Sequence, residues 1–168
     1  MTLIRVISGG QTGADRAALI AAKAAGIPTG GWMPAGFRAK DGHHPEFAAE
    51  YGMRETGSSK YPGRTALNVR ESDATIRFAT DWESAGEVLT LDLCRKHKKA
   101  HFEITPGRKW TPIDVIEWIE LNKIGVLNVA GNSEETAPGI QELVVDFLGE
   151  VFRVLVLSTP DYTPRGQE

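Results

Sequence analysis

The chain has a single cysteine, Cys94, among 168 residues, so no disulfide can close within it, which fits a reducing compartment. Basic residues are not in excess: 19 Lys and Arg stand against 22 Asp and Glu, for a net charge of -3. The basic face by which nucleic-acid-binding proteins neutralise phosphates is therefore lacking, and no nucleic acid is expected as a partner. No apolar run approaches the roughly 20 residues that span a bilayer. The opening Met1-Thr2-Leu3-Ile4-Arg5 lacks the charged, apolar and cleavage regions of a signal peptide. These absences predict a soluble cytoplasmic protein with no membrane partner.

Several catalytic and metal signatures are also missing. Gly9-Gly10-x-x-Gly13 is neither the dinucleotide fingerprint G-x-G-x-x-G nor a phosphate loop ending in Gly-Lys-Ser/Thr. No Ser/His/Asp order and no nucleophile elbow occurs. Cys94, His97 and His101 fall at i, i+3 and i+7, but Lys96, Lys98 and Lys99 crowd the same turn. The adjacent His43 and His44 do not chelate one ion with good geometry. No metal site is expected.

What is present has the balance of a globular domain: 41% hydrophobic and 24% charged residues, with 18 glycines gathered where turns would fall. Strand-like and helix-like segments alternate, which argues for an α/β fold with a parallel sheet. Leu3–Ile7 reads as a first strand, the alanine-rich Ala14–Ala25 as a helix stopped by Gly26, and Thr29–Met33 as a second strand. Residues 34–68 follow as a long insertion rich in Gly, Pro and polar residues, with one helical hint at Pro45–Tyr51 and a turn at Tyr61-Pro62-Gly63. Loops of that length are usually functional or disordered, and a stretch that is aromatic and basic by turns favours a functional one. Alternation resumes with a buried strand at Ala74–Ala79. A helix then opens on the capping-box pattern Ser84-Ala85-Gly86-Glu87 and runs to about Lys96. A strand at His101–Thr105 precedes a helix with Thr111 as N-cap and Pro112 behind it. A strand at Gly125–Ala130 leads to a last helix starting near Pro138. The expected organisation is one domain over residues 1–157 and a flexible tail over 158–168.

In a parallel sheet the turns Ser8–Asp15, Thr80–Glu87 and Ala130–Thr136 all lie at the carboxyl ends of strands, where ligands of open α/β sheets bind. Gly9, Gly10 and Gly13, then Ser84 and Gly86, then Gly131 and Asn132 supply small residues and exposed N–H groups around one crevice. The strand–turn–helix order at Ser8–Asp15 suits an anion, because backbone N–H groups and a helix's positive end converge there. Arg64, with Thr65 and Asn68, offers a fork that matches phosphate; a solvated surface arginine is the competing reading. Asp15 either favours the helix dipole or positions a hydroxyl or ring N–H of a ligand.

Ser8-Gly9-Gly10-Gln11-Thr12-Gly13-Ala14-Asp15, Gly31-Trp32-Met33-Pro34, Tyr61-Pro62-x-Arg64-Thr65-x-x-Asn68-Val69, Ser72-Asp73-x-Thr75 and Leu127-Asn128-Val129-Ala130-Gly131 together resemble the putative molybdenum carrier family. That family is related to the lysine-decarboxylase-like (LOG) nucleotide-processing proteins within a wider Rossmann-like group. The resemblance covers about residues 3–150. It implies a Rossmann-like three-layer α/β/α sandwich with a mainly parallel sheet, and a homo-oligomer (dimer or tetramer). It also implies a crevice for molybdenum cofactor (molybdopterin) or another small phosphate-bearing ligand. Carried over by position, Gly9, Gly10, Gln11, Thr12, Gly13, Arg64, Thr65, Asn68, Ser84 and Gly131 would line that crevice. One departure is the Asn132-Ser133-Glu134 that follows Gly131, where the family pattern has Pro-Arg-Glu and so one cation more. Two readings follow: a carrier of a phosphate-bearing pterin or nucleotide-like ligand, and a nucleotide-processing hydrolase of N-glycosidic bonds. For the second, Glu87 is the nearest candidate acid, although it also completes the capping pattern.

Overall fold

The computed structural model describes residues 3–159. Six parallel strands form one sheet in the order β5-β2-β1-β8-β6-β7. They are β1 (Arg5–Ser8), β2 (Thr29–Met33), β5 (Met53–Glu55), β6 (Ala74–Phe78), β7 (Ala100–Ile104) and β8 (Val126–Gly131). A hairpin of β3 (Arg38–Ala39) and β4 (Gly42–His43) stands apart as a two-stranded antiparallel piece. The helices are α1 (Ala14–Ala24), α2 (Phe47–Tyr51), α3 (Tyr61–Glu71), α4 (Ala85–Lys96), α5 (Pro112–Leu121) and α6 (Ile140–Leu157). Helix α6 packs on α1 and α5, while α3 and α4 pack together, giving one helical layer on each face of a Rossmann-like sheet.

The two faces differ in chemistry because strand side chains alternate. Val6, Leu127, Val129, Ala74, Ile76 and Phe78 join the main core with α1, α5 and α6. The intervening Thr75, Arg77 and Asn128 are also buried, and they face α3 and α4. There Asn128 Nδ2 donates to Thr75 Oγ1 at 3.1 Å, and Arg77 bonds α4 through Glu87. Helix α3 answers with a polar buried side of Thr65 and Asn68 beside Val69. One layer is thus held by apolar area and the other by matched polar groups, which burial demands.

The insertion over residues 34–68 is more ordered than a long loop. It contains the β3–β4 hairpin, α2, β5 and most of α3. Only α2 was visible as a helical hint, because α3 buries polar residues and carries no apolar stripe. Tyr61-Pro62-Gly63 forms the first turn of α3 rather than a free turn; proline is tolerated there because the first N–H groups have no helical partner. A second small core of Leu19, Met33, Ala39, Phe47, Tyr51 and Met53 fastens this segment to α1. At α5 the expected cap forms: Thr111 accepts from Asp114 N, and the Asp114 carboxylate accepts from Thr111 N at 2.6 Å. Helix α6 starts at Ile140, after Gly139, two residues beyond the expected Pro138. Of the expected flexible tail, residues 160–168 lie outside the described residues.

The apolar layer carries most of the stability by area burial. Leu148 of α6 is fully buried in it. Leu148→Ala is expected to lower the unfolding free energy by about 2–5 kcal/mol in urea titration, with the sheet's circular-dichroism signature retained.

Candidate functional site

Strand order reverses around the sheet centre. From β1 the chain moves outward to β2 and β5; from β6 it moves outward the other way to β7; β8 then returns between β1 and β6. The turns after β1, β6 and β8 therefore meet at the carboxyl edge, the position where open α/β sheets hold ligands. Asn132 joins all three. Its Oδ1 accepts from Thr80 N and Asp81 N, both at 2.9 Å, and its Nδ2 donates to Asp81 O and Ser84 Oγ. Its backbone carbonyl accepts from Ala14 N at the start of α1. Gly13, at φ 84, is required here, because a Cβ would lie 2.3 Å from that Asn132 carbonyl oxygen.

The N–H groups of Gly10 through Gly13 are already engaged. Gly10 N donates to Ser8 Oγ, Gln11 N to Asp15 Oδ2, Thr12 N to Gln11 Oε1 and Gly13 N to Gln141 Oε1. Gln11 Oε1 accepts also from Lys40 N at 2.8 Å, which seats the β3–β4 hairpin on the turn. Lys40 Nζ then donates to Ser133 Oγ on the β8 turn. Arg16 clamps the same hairpin through Asp41 at 2.6 Å. The turn is thus a structural knot, and the open donors lie elsewhere.

They lie on α4 and α3. No side chain caps the N-terminus of α4, whose first N–H groups have no acceptor within the helix. Gly86 has nothing within 4 Å of the space a Cβ would take. The Ser84–Glu87 capping box expected from the sequence does not form: Ser84 Oγ donates to Asp81 O, and Glu87 turns inward to Arg77 Nη1 at 3.2 Å. A buried guanidinium outcompetes a backbone N–H for that carboxylate. Arg64 reaches from α3 to Asp15 Oδ2 at 3.1 Å, a largely buried pair. Its guanidinium lies where a side chain on Gly9 would be, with Nη1 1.8 Å from that Cβ position. Its buried Nε has no partner.

Charges at this edge are tuned by burial. Desolvation pushes the Asp15 carboxyl up against the pull of Arg64. Desolvation also pushes Glu87 up to about 7, with Arg77 opposing and the Asp15 charge adding to the rise. Asp15 and Glu87 therefore share one electrostatic neighbourhood. Other expected site residues have structural duties. Asn68 binds both backbone groups of Trp32, accepting from its N at 2.9 Å and donating to its O. Thr65 Oγ1 donates to Tyr61 O within α3. A Cβ on Gly131 would meet Phe78 O at 2.0 Å, so that glycine serves the close approach of β8 and β6. Arg77, Gln141 and Lys40 were not anticipated. A lone arginine inside the apolar run Ala74–Ala79 was the one available sign of the first.

Fold and site together define a Rossmann-like α/β protein in which the turns after β1, β6 and β8 meet at the carboxyl edge of the sheet. The model of the circularly permuted YpsA SLOG family (cpYpsA) matches residues 6–152, and the chain belongs to that family. It is also similar to a protein of Syntrophus aciditrophicus SB whose crystal structure is described as a putative molybdenum carrier protein. The two are 37% identical with a TM-score of 0.80, covering 90% of this chain and 95% of that one. No curated protein matches the chain.

Glu87 holds its proton more tightly folded than unfolded. Between its ordinary value of 4.5 and about 7 the folded state carries the extra proton, so stability falls as pH rises through that window and is unaffected by this group below it. Asp15 acts with the same sign. Urea midpoints are expected to drop between pH 5 and pH 8, and Glu87→Gln is expected to flatten that drop. An equal drop in the variant contradicts the assignment.

Proposed function

We propose that this protein holds a small phosphate-bearing ligand, of the pterin or nucleotide kind, at the carboxyl edge of its sheet, and acts as a carrier of it. The observation that carries this reading is Arg64. Its guanidinium is largely buried over Gly9, paired on one side with Asp15, and its Nε is unsatisfied. A buried donor of that kind calls for an acceptor, and the uncapped α4 N-terminus offers further N–H donors to the same anion. In this reading Arg64 and the Ala85–Gly86 amides take the phosphate, Asp15 keeps the guanidinium oriented, and Asn132 with Ser84 keeps the β6 turn in place. Gly9 leaves room for Arg64, and Gln11, Thr12 and Gly13 hold the wall behind it. The name of the similar Syntrophus protein supports molybdenum cofactor as a candidate ligand. The reading includes self-association of the chain and a cytoplasmic location; among the described residues no helix is long and apolar enough to cross a membrane.

A second reading rests on one specific observation. A carboxyl buried at this edge and raised to about 7 is poised to give a proton near neutral pH. Glu87 would then protonate the leaving base of a nucleoside monophosphate as water takes the base's place on the sugar carbon, and the Glu87 carboxylate takes back the water's surplus proton. Turnover of nucleoside monophosphates that is lost in Glu87→Gln supports this reading, and turnover undiminished in that variant excludes it.

The carrier reading is tested by Gly9→Ala. The added methyl meets the Arg64 guanidinium and Asp15 Oδ2, so the guanidinium is displaced and the melting temperature falls as the buried Arg64–Asp15 pair opens; affinity is read well below that melting temperature. Calorimetric affinity for a phosphate-bearing pterin is expected to fall about tenfold or more, the worth of one charged hydrogen bond. Unchanged affinity, or no pterin or molybdenum retained by protein purified from a host that makes the cofactor, contradicts it.

A further inference from the structure

The β3–β4 hairpin is the least self-sufficient piece of the fold. Its strands pair at two positions, Arg38 with His43 and Ala39 with Gly42, and a two-stranded hairpin is marginal in water by itself. Its placement therefore depends on side-chain fastenings. Lys40 N donates to Gln11 Oε1, and Arg16 of α1 holds Asp41 with both terminal nitrogens, at 2.6 and 3.1 Å. A third fastening is His44, whose backbone N–H donates to Phe37 O at 2.9 Å across the base of the hairpin.

The His44 ring lies between two carboxylates. Nε2 is 2.8 Å from Asp41 Oδ1, and Nδ1 is 2.9 Å from Glu46 Oε1 at the head of α2. Stacking on Phe47, with centroids 4.7 Å apart, fixes the ring plane and keeps both nitrogens aimed at those oxygens. A neutral imidazole carries one N–H and one lone pair, so it satisfies one contact and sets a lone pair against the other carboxylate. Both contacts together require the imidazolium. The charged groups around the ring are Asp41 from the hairpin turn, Glu46 from the head of α2, and Arg16 from α1, which shares Asp41 Oδ1. The neighbouring His43 ring is turned to Gly36 O at 2.8 Å and takes no part. Burial works against the His44 proton, as does the Arg16 charge, but the hydrogen bonds to Glu46 and Asp41 outweigh them and hold the ring above its ordinary value of 6.5.

The contacts run on beyond Asp41. Arg16 Nη2 also donates to Gly10 O at 3.3 Å, so an unbroken path from Glu46 through His44, Asp41 and Arg16 ends on the glycine-rich turn. Lys40, next to Asp41, bonds that turn through Gln11 and the β8 turn through Ser133 Oγ. Whatever holds the hairpin thus holds one side of the rim at the carboxyl edge.

We propose that His44 is a proton-operated latch for the β3–β4 hairpin. With two ring protons it ties the hairpin to α2. With one, the Asp41 or the Glu46 contact opens, and the hairpin parts more often from the glycine-rich turn. Because the folded chain holds this proton more tightly, the latch is complete well below pH 6.5 and is lost as pH rises through the folded-state value above it. The latch goes beyond the ligand reading and stands on the hairpin's own contacts, so its test needs no ligand.

Amide hydrogen exchange of the ligand-free protein, corrected for the intrinsic pH dependence of the amides, provides that test. Protection of the Lys40 N–H is expected to fall about fivefold between about pH 6 and about pH 9, the upper end for a partly exposed ion pair. The fall should follow the His44 ring titration seen by NMR of the labelled imidazoles. In His44→Gln, which does not titrate, Lys40 should be weakly protected throughout with no fall. In Glu46→Gln, an exposed site that leaves the fold intact, the midpoint should move to lower pH, and in His43→Gln it should stay. No fall in the wild type, a fall that persists in His44→Gln, or a midpoint unmoved in Glu46→Gln overturns the latch.

Discussion

Everything at the carboxyl edge depends on the hydrogen bonds of Asn132. Its side chain fixes the β6 turn through Thr80, Asp81 and Ser84, and its backbone carbonyl accepts from Ala14 N at the start of α1. Three turns from distant parts of the chain thereby become one rigid rim. Buried amide groups with all four of their hydrogen-bonding capacities used specify a unique geometry. The position of Ser84 and the direction of the α4 N-terminus follow from it. So does the absence of any side chain at Gly13.

The second constraint is the polarity of one sheet face. Arg77, Thr75 and Asn128 point toward α3 and α4, so those helices must supply polar partners rather than apolar area. Burying an arginine is tolerable only when carboxylates meet it, and Glu87 and Glu103 do so. The same arrangement concentrates titratable groups at the carboxyl edge. The layer that holds the helices to this face is thus also the one whose carboxyl groups are pushed up by burial.

Much of this was legible in the residues. The alternation of apolar strands with helices, the β2 limits Thr29–Met33 and the cap at Thr111 all appear as expected, because each rests on local patterning or local chemistry. Helix α3 was hidden, since its buried side is Thr65 and Asn68 and reads as solvent-facing. The capping pattern at Ser84–Glu87 misled for a related reason: Glu87 has a stronger partner 10 residues away in sequence, Arg77, which spacing along one helix cannot reveal. The glycine-rich turn lies at the carboxyl edge beside the β8 turn, but the N–H groups of Gly10–Gly13 are bound by Ser8, Asp15, Gln11 and Gln141. That use of donors is set by side chains as far as 128 residues distant in the chain. Donors without a partner among the described residues stand instead at Arg64 and the start of α4.

The most direct measurement is a titration of the isotopically labelled protein with pyrophosphate, followed by amide and guanidinium NMR. The account predicts the largest shifts at the Ala85 and Gly86 amides and at the Arg64 Nε–H, with the amides of Gly10 through Gly13 nearly still. Dominant shifts at Gly10–Gly13, with Ala85, Gly86 and Arg64 unmoved, would contradict it.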